Sequence, residues 1–405
     1  MKVKAKSLTS GTITSPRGFL AGATYAGLKT GGDNILDLGI LFSEVPCTAA
    51  GLFTTNKVKA APLVLSQERL LKERAQAIVV NSGCANACTG VQGLADAAEM
   101  ASLAAQKLGI AENEILVAST GVIGVPLPME KVRAGIVKIA LSPAGGHELA
   151  RAIMSTDTFA KETALTVNIG RRGFTIGGIA KGAGMIHPDL ATMLCFLSTD
   201  AAVEAGFLQS ALREAVDDSF NMITIDGDTS TNDMVLILAN GLSSTNLIGR
   251  ESGEAEVFQA ALKEVCLYFA KSIARDGEGA SRLIEVTVEG ALNKAEARRA
   301  AGTVAGSSLV KAAVHGSDPN WGRIAAALGR SGAEMMESKL DLYLDNICLM
   351  KSGQPVPFDA SLIRAVLASP EVTIRAHLNL GQGTATAWGC DLSEEYVTIN
   401  SAYTT

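Results

Sequence analysis

The sequence of 405 residues contains few aromatic and few charged residues. Phe, Trp and Tyr make up 4% of the chain, and Asp, Glu, Lys and Arg together make up 19%. The formal net charge is −6, and the basic residues are not clustered as a nucleic-acid-binding surface requires. No apolar run approaches the roughly 18 residues that a membrane-spanning helix needs. We therefore expect neither a nucleic acid nor a membrane as a partner.

Metal-binding patterns are lacking as well. The four histidines are far apart, and none has the His-Glu-x-x-His spacing of a zinc enzyme. Seven cysteines are spread along the chain, and no second close pair accompanies Cys84 and Cys88 to complete a zinc site. The basic first residues lack the apolar stretch of a secretory signal. Because an odd number of dispersed cysteines favours a reducing compartment, we predict a cytoplasmic protein without a bound metal.

The hydrophobic fraction is 47%, which is enough for a large buried core. Short apolar runs typical of buried strands alternate with longer segments of helical periodicity. We predict strands at 77–80, 115–119, 163–169, 173–180, 192–198 and 234–239, and helices at 63–76, 93–108, 128–142, 203–217 and 254–275. This order of elements predicts an α/β fold with a mixed sheet.

The composition changes near residue 290, where a strand pattern gives way to an Ala-rich stretch. Beyond this point the sequence predicts short helices and two strands, at 340–345 and 372–379. We therefore predict a larger domain over residues 1–285 and a smaller C-terminal domain over residues 286–405.

Two segments look like binding loops but lack a required residue. In residues 177–184, Lys181 precedes Gly182, whereas a Walker A loop needs its Lys after the last Gly, followed by Ser or Thr. Residues 226–233 begin like a calcium loop, but Thr231 stands where the loop needs Gly and Ile237 where it needs Glu. No Gly-x-Ser-x-Gly elbow occurs either. These features disfavour nucleotide binding, calcium binding and a serine hydrolase of that type.

The segment from residue 177 to residue 200 could hold a hydroxyl nucleophile. Ala191-Thr192-Met193 begins an apolar strand there, after a Gly-rich turn that carries Lys181. A Thr hydroxyl is a weak nucleophile unless a base is adjacent, and a freed α-amino group at Thr192, with a pKa of about 8, could be that base. Freeing the amine requires cleavage of the Ala191–Thr192 bond, whose carbonyl Thr192 Oγ could itself attack in an N-to-O acyl shift. On these residues alone, an ordinary loop before a strand stays an alternative.

Six motifs carry a resemblance to one family. The longest, Lys181-Gly-Ala-Gly-Met-Ile-His-Pro-Asp-Leu-Ala-Thr-Met-Leu, resembles the self-cleavage motif of the ornithine acetyltransferases of arginine biosynthesis. The others are Asn81-Ser-Gly-Cys-Ala-Asn-Ala, Ser119-Thr-Gly-Val-Ile-Gly, Asp226-Gly-Asp-Thr-Ser-Thr-Asn-Asp, Asp318-Pro-Asn-Trp-Gly-Arg and Asn400-Ser-Ala-Tyr-Thr-Thr. They follow the family order from residue 81 to the C-terminus, so the resemblance covers almost the whole chain.

The resemblance implies a fold and an assembly. The implied fold is the four-layer α/β/β/α sandwich shared with a group of self-processing aminopeptidases, plus a smaller C-terminal α/β domain. Cleavage between Ala191 and Thr192 would give an α chain of residues 1–191 and a β chain of residues 192–405. These chains would form an α2β2 heterotetramer, with the C-terminal tail returning to the active site.

The resemblance also implies acetyl transfer through an acetyl ester of Thr192. Thr192 attacks the amide of N2-acetyl-L-ornithine, Thr120 and Gly121 stabilise the oxyanion, and glutamate then takes the acetyl group to give N-acetylglutamate. The implied substrate-binding residues are Thr158, Lys181, Thr192, Glu278, Asn400 and Thr405. No cofactor is implied. Some family members also use acetyl-CoA as a co-substrate, and the sequence does not decide whether this chain does.

Two other functions stay open at this point. One is a self-processing aminopeptidase or amidase on the same fold, in which water replaces glutamate as the acceptor. The other is a non-catalytic binding protein that retains the fold. Intact Thr192, Thr120, Gly121 and Glu278 argue against the second function, because a decayed site should have lost at least one of them.

Overall fold

The computed structural model describes residues 3–29, 32, 35–187, 193–243 and 245–402. Three predicted site residues, Ala191, Thr192 and Thr405, lie outside these described residues. The strands are β1 Val3–Ser7, β2 Phe19–Thr24, β3 Leu38–Phe53, β4 Arg74–Cys84, β5 Ile115–Val122, β6 Lys161–Ile169, β7 Arg172–Lys181, β8 Leu194–Thr199, β9 Met234–Ala239, β10 Leu283–Ala291, β11 Asp341–Leu344, β12 Ile347–Lys351, β13 Gln354–Pro355, β14 Glu371–His377 and β15 Gly383–Cys390. The helices are α1 Ala61–Leu70, α2 Gly90–Leu108, α3 Met129–Lys138, α4 Gly146–Ala152, α5 Ala205–Asp217, α6 Ala255–Arg275, α7 Lys294–Ala305, α8 Ser308–His315, α9 Gly322–Gly329, α10 Ala360–Leu367 and α11 Glu394–Ala402.

A nine-stranded sheet contains β1 to β9 in the order β1-β6-β7-β8-β9-β3-β4-β5, with β2 paired to β3. The pairs β4–β5 and β8–β9 are parallel, and the other pairs are antiparallel. Every residue of β8 and β9 is buried, as expected for uninterrupted apolar runs at the centre of a sheet. The sheet is therefore mixed, as the sequence predicts.

A six-stranded sheet contains the strands from β10 onward in the order β13-β12-β11-β14-β10-β15. Helix α6 contacts β6 and β7 of the larger sheet, and β10 and β15 of the smaller sheet. One hydrophobic core runs through this helix into both sheets. The mixed α/β fold class with two sheets is confirmed. The division at residues 285 and 286 stays a prediction, and β10 crosses it.

The first predicted helix is wrong at its C-terminal end. Residues 63–76 were expected to be helical, but α1 ends at Leu70 and β4 begins at Arg74. Glu73, between them, has a φ of 55°, in the left-handed region. Gln76 lies in the strand, where its Nε2 donates to the carbonyl oxygen of Ser43. Residues 75–80 are all buried and show little alternation of apolar and polar residues. Tertiary packing therefore makes this segment a strand, although the helical spacing of apolar residues continues into it.

None of the helices within the described residues is long and apolar enough to cross a membrane.

Candidate active site

A cavity of about 270 Å³ opens where β5 and β7 end. Its lining residues come from sequence segments that are far apart. They are Thr120, Gly121, Val122, Ile123, Ser155, Thr156, Lys181, Gly184, Met185, Ser230, Asn232, Glu278 and Asn400. Five predicted site residues are thus brought together: Thr120, Gly121, Lys181, Glu278 and Asn400.

Gly121 lies at a close approach of two parallel strands. Ser82 pairs with Thr120 and Gly83 with Gly121. Gly121 has a φ of 129°, and a Cβ atom there would lie 2.3 Å from the carbonyl carbon of Gly83. A side chain would therefore push β4 and β5 apart, and only Gly fits this position.

Lys181 contacts Thr120 from the end of β7. The side chain is 4% exposed, and its Nζ donates a hydrogen bond of 3.1 Å to Thr120 Oγ1. Burial lowers the pKa of Lys181, while the nearby carboxylates of Asp157 and Asp233 oppose that effect. Because Thr120 Oγ1 accepts from Lys181, its own hydroxyl hydrogen is left to donate elsewhere. This arrangement suits an oxyanion-stabilising hydroxyl.

A buried charge network lies behind the cavity. Lys161 Nζ donates to Asp157 Oδ1 at 2.7 Å and to Asp276 Oδ2 at 2.5 Å, and the three side chains are at most 3% exposed. Asp157 Oδ1 also accepts from the backbone N–H of Gly182 at 2.7 Å. Burial raises the pKa of Asp157, but the charges of Lys161 and Lys181 outweigh it, so the pKa is lowered overall. The network therefore joins the segments before, within and after the predicted motif that carries Lys181.

Glu278 faces the cavity from the loop that follows Asp276. Its backbone N–H donates to Ala183 O at 2.8 Å, and its Oε2 accepts from Asn400 Nδ2 at 2.8 Å. A Cβ atom on Gly184 would lie 2.6 Å from the Glu278 carboxylate, so glycine is needed there for the carboxylate to approach. Asn400 belongs to α11, and the start of that segment is held where Ser393 Oγ donates to Gly279 O.

Thr158 is not brought into the cavity lining. Its backbone N–H donates to Asp276 Oδ2 at 3.0 Å, and its hydroxyl donates to Asp276 Oδ1. Its neighbours Ser155 and Thr156 line the cavity instead. In this structure Thr158 is thus a partner of the buried network, and a substrate contact from it stays a prediction.

Asp233 lies at the end of one of the family motifs, but the sequence did not predict a role for it in the site. It is 2% exposed, and its Oδ1 accepts from the N–H of Met193, the residue after Thr192, at 2.9 Å. Burial raises the pKa of Asp233 well above its usual range, and the charge of Lys181 opposes this. Its neighbour Asn232 donates to Ser119 O and Ala85 O, at 2.8 and 2.7 Å. The signal was present in the sequence: a dense polar motif stands directly before the apolar strand β9.

The remaining candidates have other surroundings. The side chain of His187 lines a different cavity, and its Nδ1 lies 3.3 Å from Thr224 Oγ1. Asp226, the first residue of the calcium-like loop, accepts from the N–H groups of Met185 and Ile186, at 2.5 and 2.8 Å. Across the part of the chain that the structure describes, no three His, Cys, Asp or Glu residues are grouped to hold a metal ion.

Comparison with known proteins identifies the family. A model of the ArgJ family matches residues 20–405. The chain is 55% identical, over 100% of both sequences, to the arginine biosynthesis bifunctional protein ArgJ of Dehalococcoides mccartyi. The crystal structure of arginine biosynthesis bifunctional protein ArgJ from Bacillus halodurans has 44% identity and a TM-score of 0.50, covering 52% of this chain and 98% of that chain. Ornithine acetyltransferase complexed with ornithine, from Mycobacterium tuberculosis, has 40% identity and a TM-score of 0.43, covering 46% of this chain and 98% of that chain. With a match over nearly its whole length, the chain belongs to the ArgJ family.

Proposed function

We propose that this protein transfers an acetyl group from N2-acetyl-L-ornithine to L-glutamate through an acetyl ester of Thr192. It is an ornithine acetyltransferase of arginine biosynthesis. The observation that carries the proposed mechanism is the single cavity lined by Thr120, Gly121, Lys181 and Glu278. The chain that follows Thr192 enters the sheet beside it, where Met193 is held by Asp233.

The first half-reaction forms the ester. Thr192 Oγ attacks the acetyl carbonyl, the carbonyl π electrons move onto oxygen, and the oxyanion is held by the Thr120 hydroxyl and the Gly121 N–H. The C–N bond then breaks, the released α-amine of ornithine takes up the proton, and the acetyl group stays on Thr192. One oxyanion donor of this kind typically lowers the barrier by about 3 kcal/mol.

The second half-reaction returns the free enzyme. The α-amine of glutamate attacks the ester carbonyl, the same donors hold the oxyanion, and the C–O bond to Thr192 breaks. The proton lost by the attacking amine returns to Thr192 Oγ. Lys181 contributes to both steps, because its hydrogen bond to Thr120 Oγ1 keeps the Thr120 hydroxyl hydrogen available for the oxyanion.

Substrate recognition is assigned to Glu278 and its partner from the tail. The carboxylate of Glu278 would pair with the side-chain ammonium of the ornithine moiety. Asn400 Nδ2 donates to Glu278 Oε2 and so orients that carboxylate at the cavity. Thr158 and the C-terminal Thr405 are kept as proposed substrate contacts on the family resemblance alone.

We further propose that the Ala191–Thr192 bond is cut by Thr192 itself and that the products assemble as an α2β2 heterotetramer. The Bacillus halodurans chain supports the cut: it matches only 52% of this chain but 98% of its own length, close to the share of residues 192–405. We also propose a catalytic domain over residues 1–285 and a smaller domain over residues 286–405, with a boundary inside β10, the first strand of the second sheet.

A second acetyl donor, acetyl-CoA, is proposed in addition. Curated relatives are named bifunctional arginine biosynthesis proteins, and a second route from acetyl-CoA to glutamate would account for that word. A cytoplasmic location is also proposed. It agrees with the seven cysteines, all of which are described and are free thiols.

Substitution of Thr192 tests both the cleavage and the transfer. Wild-type protein should give two bands of about half the full mass on a denaturing gel, and the second should begin Thr-Met-Leu-Cys-Phe. Thr192→Ala should stay a single band and lose transfer, because both steps use the same Oγ, and Thr192→Ser should retain some of each. An active Thr192→Ala variant would refute the nucleophile assignment.

The competing amidase function is separated by the acceptor. We expect the wild-type enzyme to consume acetylornithine rapidly only when glutamate is present. Release of acetate at the same rate without glutamate would show that water is the acceptor and would contradict the transferase mechanism.

A further inference from the structure

A second cavity, of about 390 Å³, has a strongly basic lining. Its polar lining residues are His187, Asn221, Arg298, Arg299, Thr303 and Arg330. No carboxylate side chain is among the described residues that line it. Three arginines therefore line one cavity whose described residues include no acid, although the whole chain carries a net charge of −6. We refer to it as the arginine cavity.

Two of the three guanidinium groups are fixed by backbone carbonyls. Arg298 donates through Nη1 to Asp217 O, and Arg299 donates through Nη1 to Gly332 O at 2.8 Å. A guanidinium has five N–H donors, so each anchoring bond leaves most of them for a ligand. Fixed guanidinium groups lose little conformational freedom on binding, and the cavity is thus largely preformed.

Among the described residues, the carboxylate that forms an ion pair with one of these arginines is that of Asp218, and it does not neutralise their charge. Asp218 Oδ1 lies 3.8 Å from Arg298 Nη1. However, Lys263 and Lys294 already approach the same carboxylate to 2.6 and 2.5 Å. Arg330 has no ion pair among the described residues. The arginine cavity therefore keeps an excess of positive charge for an anionic ligand.

Among its described lining residues, the cavity that contains Thr120, Gly121, Lys181 and Glu278, which we call the acetyl-transfer cavity, offers no comparable site. The basic residue in its lining is Lys181, which is hydrogen-bonded to Thr120, and its lining also contains the acidic Glu278. That arrangement suits an ornithine moiety and disfavours several phosphate groups. An acetyl donor that carries phosphates would have to place them outside this cavity.

The two cavities lie close together along the chain. Gly184 and Met185 line the acetyl-transfer cavity, and His187 lines the arginine cavity. Even a fully extended chain spans only about 3.5 Å per residue, so Gly184 and His187 are at most about 10 Å apart. A long donor with its acetyl group at one end and its phosphates at the other could occupy both.

We propose that the arginine cavity binds the phosphate-bearing nucleotide end of acetyl-CoA, which rests on the proposed use of acetyl-CoA as a second donor. Phosphates are multiply charged at neutral pH, and guanidinium groups bind them through paired N–H donors. The thioester end then reaches Thr192, whose attack breaks the C–S bond, leaves the acetyl group on Oγ and releases the thiol of CoA, which takes the proton. The acetylornithine reaction makes no use of this cavity.

The test compares the two acetyl donors on the same preparations. Arg330→Gln, Arg299→Gln and the double variant are assayed with acetyl-CoA and, separately, with acetylornithine, at saturating glutamate. Each single variant should raise the KM for acetyl-CoA by about tenfold and the double variant by more, because charged hydrogen bonds are lost. The KM for acetylornithine and the kcat of that reaction should stay within about twofold. Arg171→Gln, on an exposed turn, is the matched control and should change neither donor.

Three outcomes would overturn the proposal. One is an equal loss with both donors, which would indicate damage to the shared site. Another is an unchanged KM for acetyl-CoA in the double variant. The third is a wild-type enzyme that cannot use acetyl-CoA at all, and this result would leave the acetylornithine reaction untouched.

Competition experiments distinguish a nucleotide site from a simple anion site. Adenosine 3′,5′-bisphosphate should inhibit the acetyl-CoA reaction of the wild type competitively, and the double variant about tenfold more weakly. Inorganic phosphate at the same concentration should inhibit little. Equal inhibition by inorganic phosphate would mean that the cavity holds any small anion, and it would overturn the assignment to the nucleotide end of acetyl-CoA.

Discussion

The two walls of the acetyl-transfer cavity are built differently. One wall rests on the network of Asp157, Lys161 and Asp276, whose side chains are at most 3% exposed. Another part of the lining comes from α11, which contributes Asn400 and has no buried residue. Hydrogen bonds join it to the site from Asn400 to Glu278 and, just before the helix, from Ser393 to Gly279.

Because of this difference in burial, substitutions in the two parts of the lining should differ in their effect on the stability of the fold. Removing one partner of a buried ion pair leaves an uncompensated charge and typically costs about 3–5 kcal/mol. Exposed hydrogen bonds and ion pairs typically contribute about 0–1 kcal/mol. The proposed oxyanion donor Thr120 is bonded to Lys181, next to the buried network, whereas the proposed substrate contact Asn400 lies on α11. Chemistry and recognition should therefore respond separately to substitution.

The largest effect on stability is expected from the wall that rests on the buried network. Lys161→Met should lower the free energy of unfolding by about 3–5 kcal/mol, because Asp157 and Asp276 lose their shared cation. Lys351→Met is the matched control: Lys351 is 57% exposed in its ion pair with Asp341, and its loss should lower the free energy of unfolding far less. Denaturant titration of both variants measures the difference. Equal losses would remove the distinction between the two walls.

The free energy of unfolding should also depend on pH differently in the wild type and in Lys161→Met. The folded pKa of Asp157 is lowered, so its contribution to stability is present above the unfolded value of about 3.9 and is lost as the pH falls through the folded value. In Lys161→Met, the charge of Lys161 no longer offsets the cost of burying the Asp157 carboxylate. Protonation of Asp157 should therefore remove part of the destabilisation of this variant. The stability gap between wild type and Lys161→Met should thus narrow as the pH falls toward 4. A constant gap would argue against Asp157 as the group responsible.

A smaller effect is expected at Glu278, which accepts a hydrogen bond from Asn400 of α11. Glu278→Gln keeps the size of the side chain but removes the charge that would pair with the ornithine ammonium. We expect kcat/KM for acetylornithine to fall about ten- to a hundredfold, as for a lost charged hydrogen bond, while self-cleavage continues. An uncharged acetyl-amino-acid donor, assayed on the same preparation, should be affected little. Equal losses for both donors would contradict the ammonium contact.

The smallest effect is expected on the tail. Asn400→Ala removes the hydrogen bond to Glu278 Oε2 and should raise the KM for acetylornithine by only about two- to fivefold, with kcat and stability nearly unchanged. Thr398→Ala is the control, since that hydroxyl bonds within α11 to Glu394 O. If Asn400→Ala unfolded the protein or abolished turnover, the tail would be as essential as the buried network.

The sequence predicted which residues form the site better than it predicted the contacts between them. Thr120, Gly121, Lys181, Glu278 and Asn400 were found from motifs, and the structure brings them to one cavity. Local periodicity was sufficient for the buried strand β9 but failed at Gln76, where pairing with a distant strand decides the conformation.

The buried network escaped prediction for a physical reason. Lys161 and Asp276 are 115 residues apart, and neither stands in a motif that marks it as buried or paired. A charged residue in a sequence normally indicates solvent exposure, so its burial can be recognised only from the fold. The role of Thr158 depends on the same distant partner, and for that reason its motif alone could not place it.

The order of strands in the larger sheet has a consequence for how the enzyme matures. A cut between residues 191 and 192 would assign β1 to β7 to one product and β8 and β9 to the other. In the sheet, β8 lies against β7 and β9 lies against β3, so the second product is inserted between two parts of the first. Neither product could complete this sheet by itself, and one could not leave without unpairing strands on both of its sides. If the bond is cut as proposed, folding would therefore precede cutting, and the two products would stay joined through these strand pairs.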